Sequence, residues 1–366
     1  MRESQVRDPT TSNFLLFLQA ISYFQLAFES FLFDRMEQAA RHDGTLLHNA
    51  AKYADIERAA KLLEGGADIE ARDRHGDTPL HVALYNIDTY SYRRNKDDEL
   101  GMVRMLLQNG AKVNAVNEER YTPLHFAKNV RMIKLLVDNG ADVNVKALWD
   151  NTPLHWAVKY GTIETAAYLL ECGADIETKE GMFGDTSLHL AIKKSNPSMV
   201  RLLLDNGANV DAIRPAYDGH TPLHQVVDKE ENQLEIARML LNSHANQSIK
   251  NEYGDLPLHL ACKKSLYDLI KVLVENCSGL LAIAGGDGWL PFHLACMDNA
   301  PLDTVYTLVR LDPNIMTSSL EVETSSEYIN KTVVQCLHDG PCYRPEEEQI
   351  TKKCNFRFCC CWNIRS

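Results

Sequence analysis

Short apolar stripes alternate with polar turns along most of the chain, and a recurrent tetrapeptide lies at the start of each repeating unit. It reads Thr-Pro-Leu-His in four places, and close variants occur four more times. Its last residue is His48, His81, His125, His155, His189, His224, His259 and His293. Successive histidines are 33, 44, 30, 34, 35, 35 and 34 residues apart. This regular interval predicts an internal repeat of eight units.

A second signature follows most of the tetrapeptides at a steady distance. Its copies are Gly66-Ala67-Asp68, Gly110-Ala111-Lys112, Gly140-Ala141-Asp142, Gly173-Ala174-Asp175, Gly207-Ala208-Asn209 and the degenerate His244-Ala245-Asn246. Apolar pairs at the end of a helical stripe precede it, such as Leu106-Leu107 and Leu240-Leu241. The pattern therefore predicts that each unit is helix, turn, helix and then a hairpin-like connection.

The residues at the ends of each stripe have the chemistry of helix caps. Threonine is a good N-cap, and proline suits the first helical position because its missing N–H would be unpaired there anyway, as in Thr78-Pro79. A glycine after the second helix, such as Gly110 or Gly207, adopts the left-handed C-cap conformation without steric cost. These signals predict sharp helix boundaries.

The two signatures together resemble the ankyrin-repeat family over about residues 42–315. The resemblance implies an all-α solenoid of stacked helix-turn-helix units joined by hairpin-like connections. A single helix pair cannot bury its own apolar face, so each unit depends on its neighbours. Two units depart from the period: a polar insertion occupies about residues 87–98, and the third unit is about three residues short, which predicts a clipped first helix or turn.

The segment before the repeats, residues 1–41, carries an apolar run from Phe14 to Phe33. Its aromatic and aliphatic residues recur at three- and four-residue intervals, which predicts a helix that caps the N-terminal end of the stack. Polar residues interrupt the run too often for a clean membrane span or signal peptide. A membrane-associated or targeting segment, and a true start at Met36, remain as alternatives.

The C-terminal tail, residues 316–366, is predicted to be mostly disordered and contains six of the ten cysteines. Cys359, Cys360 and Cys361 are contiguous and lie beside aromatic and basic residues, a pattern typical of acylation sites, where two or more chains give a stable membrane anchor. Cys336, His338, Cys342 and Cys354 add potential zinc ligands, but their spacing matches no familiar zinc module. Three interpretations stay open: a disordered tail, an acylated anchor and a metal knuckle.

Composition and charge exclude several classes of function. Hydrophobic residues make up 45% and charged residues 24% of the chain, as in folded proteins. The net charge of −12 argues against nucleic acid as a partner, which clustered Lys and Arg would bind. The uneven cysteines favour a reducing, cytoplasmic location. No phosphate-binding loop, zinc-protease motif or nucleophile elbow occurs, so we expect no enzyme activity and no cofactor.

The eight repeated histidines invite interpretation as metal ligands or catalytic groups. They lie one repeat apart, about 10 Å for packed helices, which is too far for one ion to collect them. The resemblance to ankyrin repeats implies instead that each histidine bonds its own turn and the next repeat. We therefore expect them to be structural, and we expect no metal site among the repeats.

The resemblance also implies that a partner binds along the hairpin tips and the exposed part of each first helix. The tips carry the aromatic residues Tyr121, Trp149, Phe183, Tyr217, Tyr253 and Trp289. Exposed aromatic rings are typical of binding hot spots, although a ring can also pack on the adjacent tip.

The first helices end in a second set of candidate contact residues: Tyr85, Lys159, Tyr160, Lys193, Lys194, Lys229, Lys263 and Lys264. A basic stripe in an acidic protein would steer an acidic or phosphorylated segment towards this face. The alternative is that these lysines only solvate the helices.

These features predict a non-catalytic scaffold, monomeric and cytoplasmic, that binds another protein through the concave groove of an ankyrin solenoid. A ubiquitin-ligase substrate adaptor is a weaker alternative, since residues 321–366 lack a Leu-rich docking box. A scaffold tethered to a membrane through the N-terminal helix or an acylated tail is the other.

Overall fold

The structure, a computed structural model, describes residues 45–85, 96–215, 219–275, 278–297 and 302–311. The predicted N-terminal capping helix, most of the insertion at 87–98 and the cysteine-rich tail lie outside these ranges. Contacts group the described residues into two units, one of residues 45–148 with 171–173 and one of residues 149–170 with 174–311. We refer to them as the N-terminal and C-terminal units.

The described residues are helical apart from turns, loops and one antiparallel bridge between Glu180 and Asp185. The α-helices of the N-terminal unit are α1 (Leu46–Lys52), α2 (Ile56–Glu64), α3 (Pro79–Tyr85), α4 (Lys96–Gln108) and α5 (Val130–Asp138). Those that follow are α6 (Pro153–Tyr160), α7 (Ile163–Glu171), α8 (Ser187–Lys193), α9 (Pro197–Asp205), α10 (Pro222–Val226), α11 (Gln233–Asn242), α12 (Pro257–Lys263), α13 (Tyr267–Val274), α14 (Pro291–Met297) and α15 (Leu302–Leu311). Short 3-10 segments occupy Pro123–Phe126, Leu148–Asp150 and Ser278–Ala282.

The helices pair as the sequence predicts, and the all-α repeat architecture is confirmed. In the C-terminal unit each first helix packs on the next first helix, as α6 does on α8 and α8 on α10. The second helices form a parallel series in which α9 contacts α11 and α11 contacts α13. Wherever the third residue of the tetrapeptide is leucine, its side chain is buried, for example in Leu154 and Leu188. Each unit thus has a continuous apolar interior between its two helix layers.

The third repeat is clipped, as its length predicts. Its first helix is reduced to the four-residue 3-10 segment Pro123–Phe126, and α5 begins at Val130. The insertion is shorter than expected at its C-terminal end, because α4 already begins at Lys96. Aspartates and a glutamate near a helix N-terminus interact favourably with the helix dipole, which explains why this charged sequence can start a helix.

In four repeats the tetrapeptide histidine links its own helix start to the next repeat. In the fourth repeat the Nδ1 of His155 accepts a hydrogen bond from the Thr152 backbone N–H at 3.1 Å and lies 2.8 Å from the Thr152 hydroxyl. Its Nε2 then carries the ring proton and donates to the carbonyl oxygen of Thr178, 3.0 Å away in the following connection. His48, His81 and His224 make the equivalent inter-repeat bonds, to the carbonyls of Asp77, Tyr121 and Asp255. The structural role expected of the repeated histidines is confirmed for these four, whereas the Nε2 atoms of His189 and His259 are buried without a hydrogen-bond partner among the described residues.

Two repeats keep the histidine but lack the threonine hydroxyl. Leu256 and Leu290 occupy the N-cap position, and their backbone N–H groups still donate to the Nδ1 atoms of His259 and His293 at 3.1 and 3.3 Å. The cap in these last two repeats therefore consists of the ring nitrogen alone. Removing a threonine or serine cap costs about 1 kcal/mol in typical helices.

The second helices end in the glycine motif that the sequence predicts. In α4 the N–H of Ala111 donates to the carbonyl of Leu106 and the N–H of Gly110 to that of Leu107, both at 3.0 Å, which is the Schellman arrangement. Gly110 has a φ of 92° and Gly207 a φ of 82°. His244 holds the same place after α11 with a φ of 65°, so a side chain occupies a conformation that favours glycine.

A paired substitution tests this conformational cost. Gly207→Ala places a Cβ where no neighbouring atom lies within 4 Å, so any loss of stability arises from the backbone conformation alone. We expect the free energy of unfolding to fall by about 1 kcal/mol. His244→Gly should raise it by about 0.5 kcal/mol, because the relief of the left-handed strain exceeds the added chain entropy of glycine. Urea denaturation measures both changes, and a loss on His244→Gly would contradict the assignment.

The buried histidines also predict acid sensitivity. Burial lowers the pKa of His81 and His189 to about 3 and that of His224, His259 and His293 to about 4. The unfolded chain takes up protons on these rings near pH 6.5, whereas the folded chain does not, so their contribution to stability is present above pH 6.5 and is lost as the pH falls towards 4. Burial raises the pKa of Asp77 to about 7. In the same pH range the folded chain therefore binds one proton on this carboxyl group that the unfolded chain does not, which offsets one of the histidine protons.

We therefore expect the free energy of unfolding to fall by up to about 5 kcal/mol per pH unit below pH 6.5, from a net difference of about four protons. Urea midpoints measured at several values between pH 7 and pH 5 check this slope. Asp77→Asn removes the opposing carboxyl group and should make the dependence steeper. A stability that does not change over this range would mean that the histidines are not buried in neutral form.

Candidate protein-binding surface

The hairpin tips are hydrogen-bonded turns, and two of them carry an exposed aromatic side chain. In the tip before α12, the N–H of Asn251 donates to the carbonyl of Asp255 at 2.9 Å, and the Asn251 side-chain oxygen accepts from the N–H groups of Tyr253 and Asp255. Gly254 completes the turn with a φ of 78°. The Tyr253 side chain is 50% exposed at the end of this braced turn.

Trp149 is the second exposed aromatic ring on a tip. Its backbone has a φ of 63°, and its carbonyl oxygen accepts a hydrogen bond from the N–H of Gly181 at 2.7 Å. The side chain is 43% exposed. Trp289, on the tip before α14, is half-buried, and its ring centroid lies 5.8 Å from that of His293 in an edge arrangement.

Two of the six tip aromatics predicted to contact a partner are instead buried. Tyr121 is 4% exposed and packs against the rings of His125 and Phe126, with centroids 5.2 and 5.5 Å away. Phe183 is 3% exposed, and the Arg214 guanidinium lies 5.7 Å from its ring centroid. The expectation that these two rings face a partner is wrong, because each fills space within its own part of the stack. Tyr217 lies outside the described residues.

The Tyr85 side chain also makes contacts within the fold. Its hydroxyl donates to Oδ1 of Asp77 at 2.6 Å, and Asn117 donates to the same oxygen at 2.9 Å. The ring packs edge-on against Phe126 with centroids 4.1 Å apart. Burial raises the pKa of the Asp77 carboxyl and that of the Tyr85 hydroxyl above their ordinary values.

The predicted basic stripe is interrupted where two of its lysines form ion pairs with the tips. Lys159 is buried and its Nζ lies 2.8 Å from Oε2 of Glu180, which is also buried. Lys263 Nζ lies 2.5 Å from Oδ2 of Asp255. The prediction of a uniform stripe is wrong at these positions, because carboxylates satisfy the ammonium groups within the fold.

These pairs have a sequence signal that sequence reasoning missed. In three repeats the last part of the first helix bonds a side chain eight residues earlier in the sequence. The pairs are Tyr85 with Asp77, Lys159 with Asn151 and Lys263 with Asp255. The same spacing places Asp185 before Lys193. Arg214, which was not among the candidate residues, instead lies 2.5 Å from Oδ1 of Asp185, with both side chains buried.

Lys193, Lys194 and Lys229 differ from the other lysines of this face, and we call them the lysine cluster. Among the described residues, no carboxylate lies within 4.0 Å of their ammonium groups. Lys229 Nζ donates to the carbonyl oxygen of Lys193 at 3.4 Å. Burial, followed by the charges of Lys193 and Arg214, lowers the pKa of Lys229, although Asp228 acts in the opposite direction.

An exposed aromatic ring adjoins the cluster. The Lys194 ammonium lies 5.5 Å from the ring centroid of Tyr160, within the range of a cation–π contact. Tyr160 is exposed and leans on Trp156, with ring centroids 4.9 Å apart. Lys264, on the next repeat but one, is exposed and paired with Asp228 at 2.6 Å.

No three His, Cys, Asp or Glu side chains of the described residues converge to hold a metal ion. Among the described helices, none combines the length and apolar character needed to cross a membrane. An open cleft of about 460 Å³ lies at the turns preceding α11 and α13, lined by Glu230, Asn232 and Tyr267 among others. The acylation candidates Cys359, Cys360 and Cys361 lie outside the described residues.

Substitution of one carboxylate tests the structural role of the buried pair. Glu180→Gln leaves the Lys159 ammonium buried without its countercharge, and we expect the free energy of unfolding to fall by about 3 kcal/mol. Asp228→Asn, which breaks the exposed pair with Lys264, should cost less than about 1 kcal/mol. Urea denaturation compares the two, and equal losses would contradict the distinction between buried and exposed lysines.

The comparisons with known proteins agree with the architecture. Family models described as ankyrin repeats (3 copies) match residues 93–180, 177–251 and 229–318, and one described as ankyrin repeats (many copies) matches residues 47–89. A solved structure titled as the ankyrin repeat domain of Bcl-3, a unique member of the IkappaB protein family, aligns with a TM-score of 0.52 and 28% identity. It covers 63% of this chain and 98% of that one.

Curated relatives share the same repeats. The B-cell lymphoma 3 protein homolog of Mus musculus is 30% identical over 238 residues, 62% of this chain and 50% of that protein. Potassium channel AKT2/3 of Arabidopsis thaliana is 37% identical over 82 residues, 22% of this chain and 9% of the channel. The chain thus corresponds to half of the first relative and to a small part of the second. Since the repeat models together match well over half of its residues, the chain belongs to the ankyrin-repeat family.

Proposed function

We propose that this chain is a non-catalytic protein-binding module that contacts its partner through the hairpin tips and the ends of the first helices in its C-terminal unit. The observation that carries the proposal is the exposure of Trp149 and Tyr253 on tips that the backbone already holds rigid. Large aromatic side chains with about half of their surface exposed are typical of binding hot spots.

Rigidity of the tips favours affinity. The Asn251 side chain braces the turn that carries Tyr253, and the Trp149 carbonyl is bonded to the next connection. A partner would therefore not have to order these turns on binding, so less conformational entropy would be lost. The same reasoning applies to the first helices, whose starts are fixed by the histidine bonds.

Family membership supports the same class of function, because ankyrin-type repeats stack into extended binding surfaces and recognition depends on their variable side chains. The named relatives identify no partner for this chain, which corresponds to only part of each of them. We further propose that the module acts as a cytoplasmic monomer. The thiol of Cys172 is not in a disulfide, which fits a reducing compartment.

The double variant Trp149→Ala/Tyr253→Ala tests the proposed surface. Quantitative affinity purification with the full chain identifies partners, and the affinity of each purified partner is then measured for both proteins. We expect a loss of at least about 2 kcal/mol in binding free energy, since truncating a single hot spot has this effect. The thermal stability of the variant should stay close to that of the parent chain because both rings are exposed.

Tyr53→Ala/Ile163→Ala is a matched control. Both side chains are exposed and lie off the tips: Tyr53 directly follows α1, and Ile163 is the first residue of α7. Partner binding should be retained in this control. Equal binding by the tip variant and the parent chain would show that the partner uses a different surface.

A further inference from the structure

The lysine cluster is a concentration of positive charge that the fold itself leaves uncompensated. Lys159 and Lys263 occupy the same place in the fourth and seventh repeats as Lys193 does in the fifth, and they are paired with Glu180 and Asp255. Lys193 lacks the equivalent pair because Arg214 lies against Asp185. Arg214 in the following connection thereby leaves the Lys193 ammonium group without a carboxylate partner.

Lys229 increases the crowding of like charges. Its ammonium donates to the backbone carbonyl of Lys193 at 3.4 Å, so the Lys229 charge lies beside the end of α8, which carries Lys193. Its partial burial, together with Lys193 and the Arg214 guanidinium, lowers its pKa, while Asp228 and Asp185 counteract the shift. Asp228 is itself paired with Lys264 and Asp185 with Arg214, so both carboxylates are already engaged. An anion brought in from outside would relieve this repulsion.

We infer that Lys193, Lys194 and Lys229 are the docking site for an extended acidic segment of the partner protein. The inference deepens the proposed function and rests on it. Carboxylates of the segment would face the three ammonium groups, and its chain would lie beside the exposed ring of Tyr160. The paired lysines Lys159 and Lys264 border the site on either side and add little net charge.

The spacing of the repeats favours a peptide over other anions. Packed helices lie about 10 Å apart, and an extended peptide advances about 3.3 Å per residue, so acidic residues three apart match successive repeats. A long polyanion such as nucleic acid would meet a chain whose net charge is −12. The cluster is therefore suited to a short run of spaced carboxylates on a protein.

The probe for the experiment is a synthetic peptide with glutamate at every third position in a Gly/Ser background, together with the same peptide carrying glutamine. Binding to the full chain is measured by fluorescence anisotropy at low and at physiological ionic strength. We expect the acidic peptide to bind at least about tenfold more tightly than the glutamine peptide, and the difference to shrink as salt is added.

The variant Lys193→Gln/Lys194→Gln/Lys229→Gln should weaken binding of the acidic peptide about tenfold. Lys61→Gln/Lys134→Gln/Lys271→Gln removes the same charge from exposed positions on second helices and should leave binding unchanged. NMR of ¹³C-methylated lysines provides a second readout, in which the acidic peptide should raise the pKa of Lys229. Equal effects of the two triple variants would indicate net charge alone and would overturn the inference.

Three further outcomes would also overturn it: no binding of the acidic peptide, displacement by inorganic phosphate alone, and cluster-dependent binding to phosphatidylserine vesicles but not to the peptide. The aromatic tip variant separates this inference from the proposed function. A partner whose binding needs Trp149 and Tyr253 but tolerates loss of the lysine cluster would leave the proposed function intact and refute the acidic docking site.

Discussion

The double hydrogen bond of the repeated histidine is the interaction on which the rest of the structure depends. One ring nitrogen accepts from the start of the first helix and the other donates to the following connection, as His155 does with Thr152 and Thr178. A single side chain thereby fixes a helix end and the register of the next repeat. The bond that Nδ1 accepts requires this nitrogen to be unprotonated. Burial lowers the pKa of His81 and His224 and so keeps their rings neutral, although the bond to the carbonyl oxygen acts in the opposite direction.

Sequence periodicity predicted most of the repeat architecture because the stack is assembled from local signals. Caps, apolar spacing and the left-handed glycine each act over a few residues, and they specify every helix pair in the described ranges. The clipped helix at Pro123–Phe126 followed from counting residues. The start of α4 at Lys96 did not, since a run of charged residues reads as a loop unless its position at a helix N-terminus is known.

The binding surface was less predictable, because exposure and pairing depend on contacts between repeats. Tyr121 and Tyr253 both lie on tips and look alike in sequence, yet one is buried by the ring of Phe126 and the other is exposed. The lysines of the first helices likewise look equivalent in sequence. Whether each one forms an ion pair depends on carboxylates elsewhere in the stack. Arg214, which decides the state of Lys193 by lying against Asp185, is distant in sequence from both of them.

The missing hydroxyls at Leu256 and Leu290 have a consequence for how the C-terminal unit opens. Repeats that depend on nearest neighbours lose structure first where the local terms are weakest. The final two repeats retain the histidine bond at the N-cap but lack a threonine, and His244 adds left-handed strain just before them. We therefore expect this unit to open first at its C-terminal end, in repeats other than those that carry the lysine cluster.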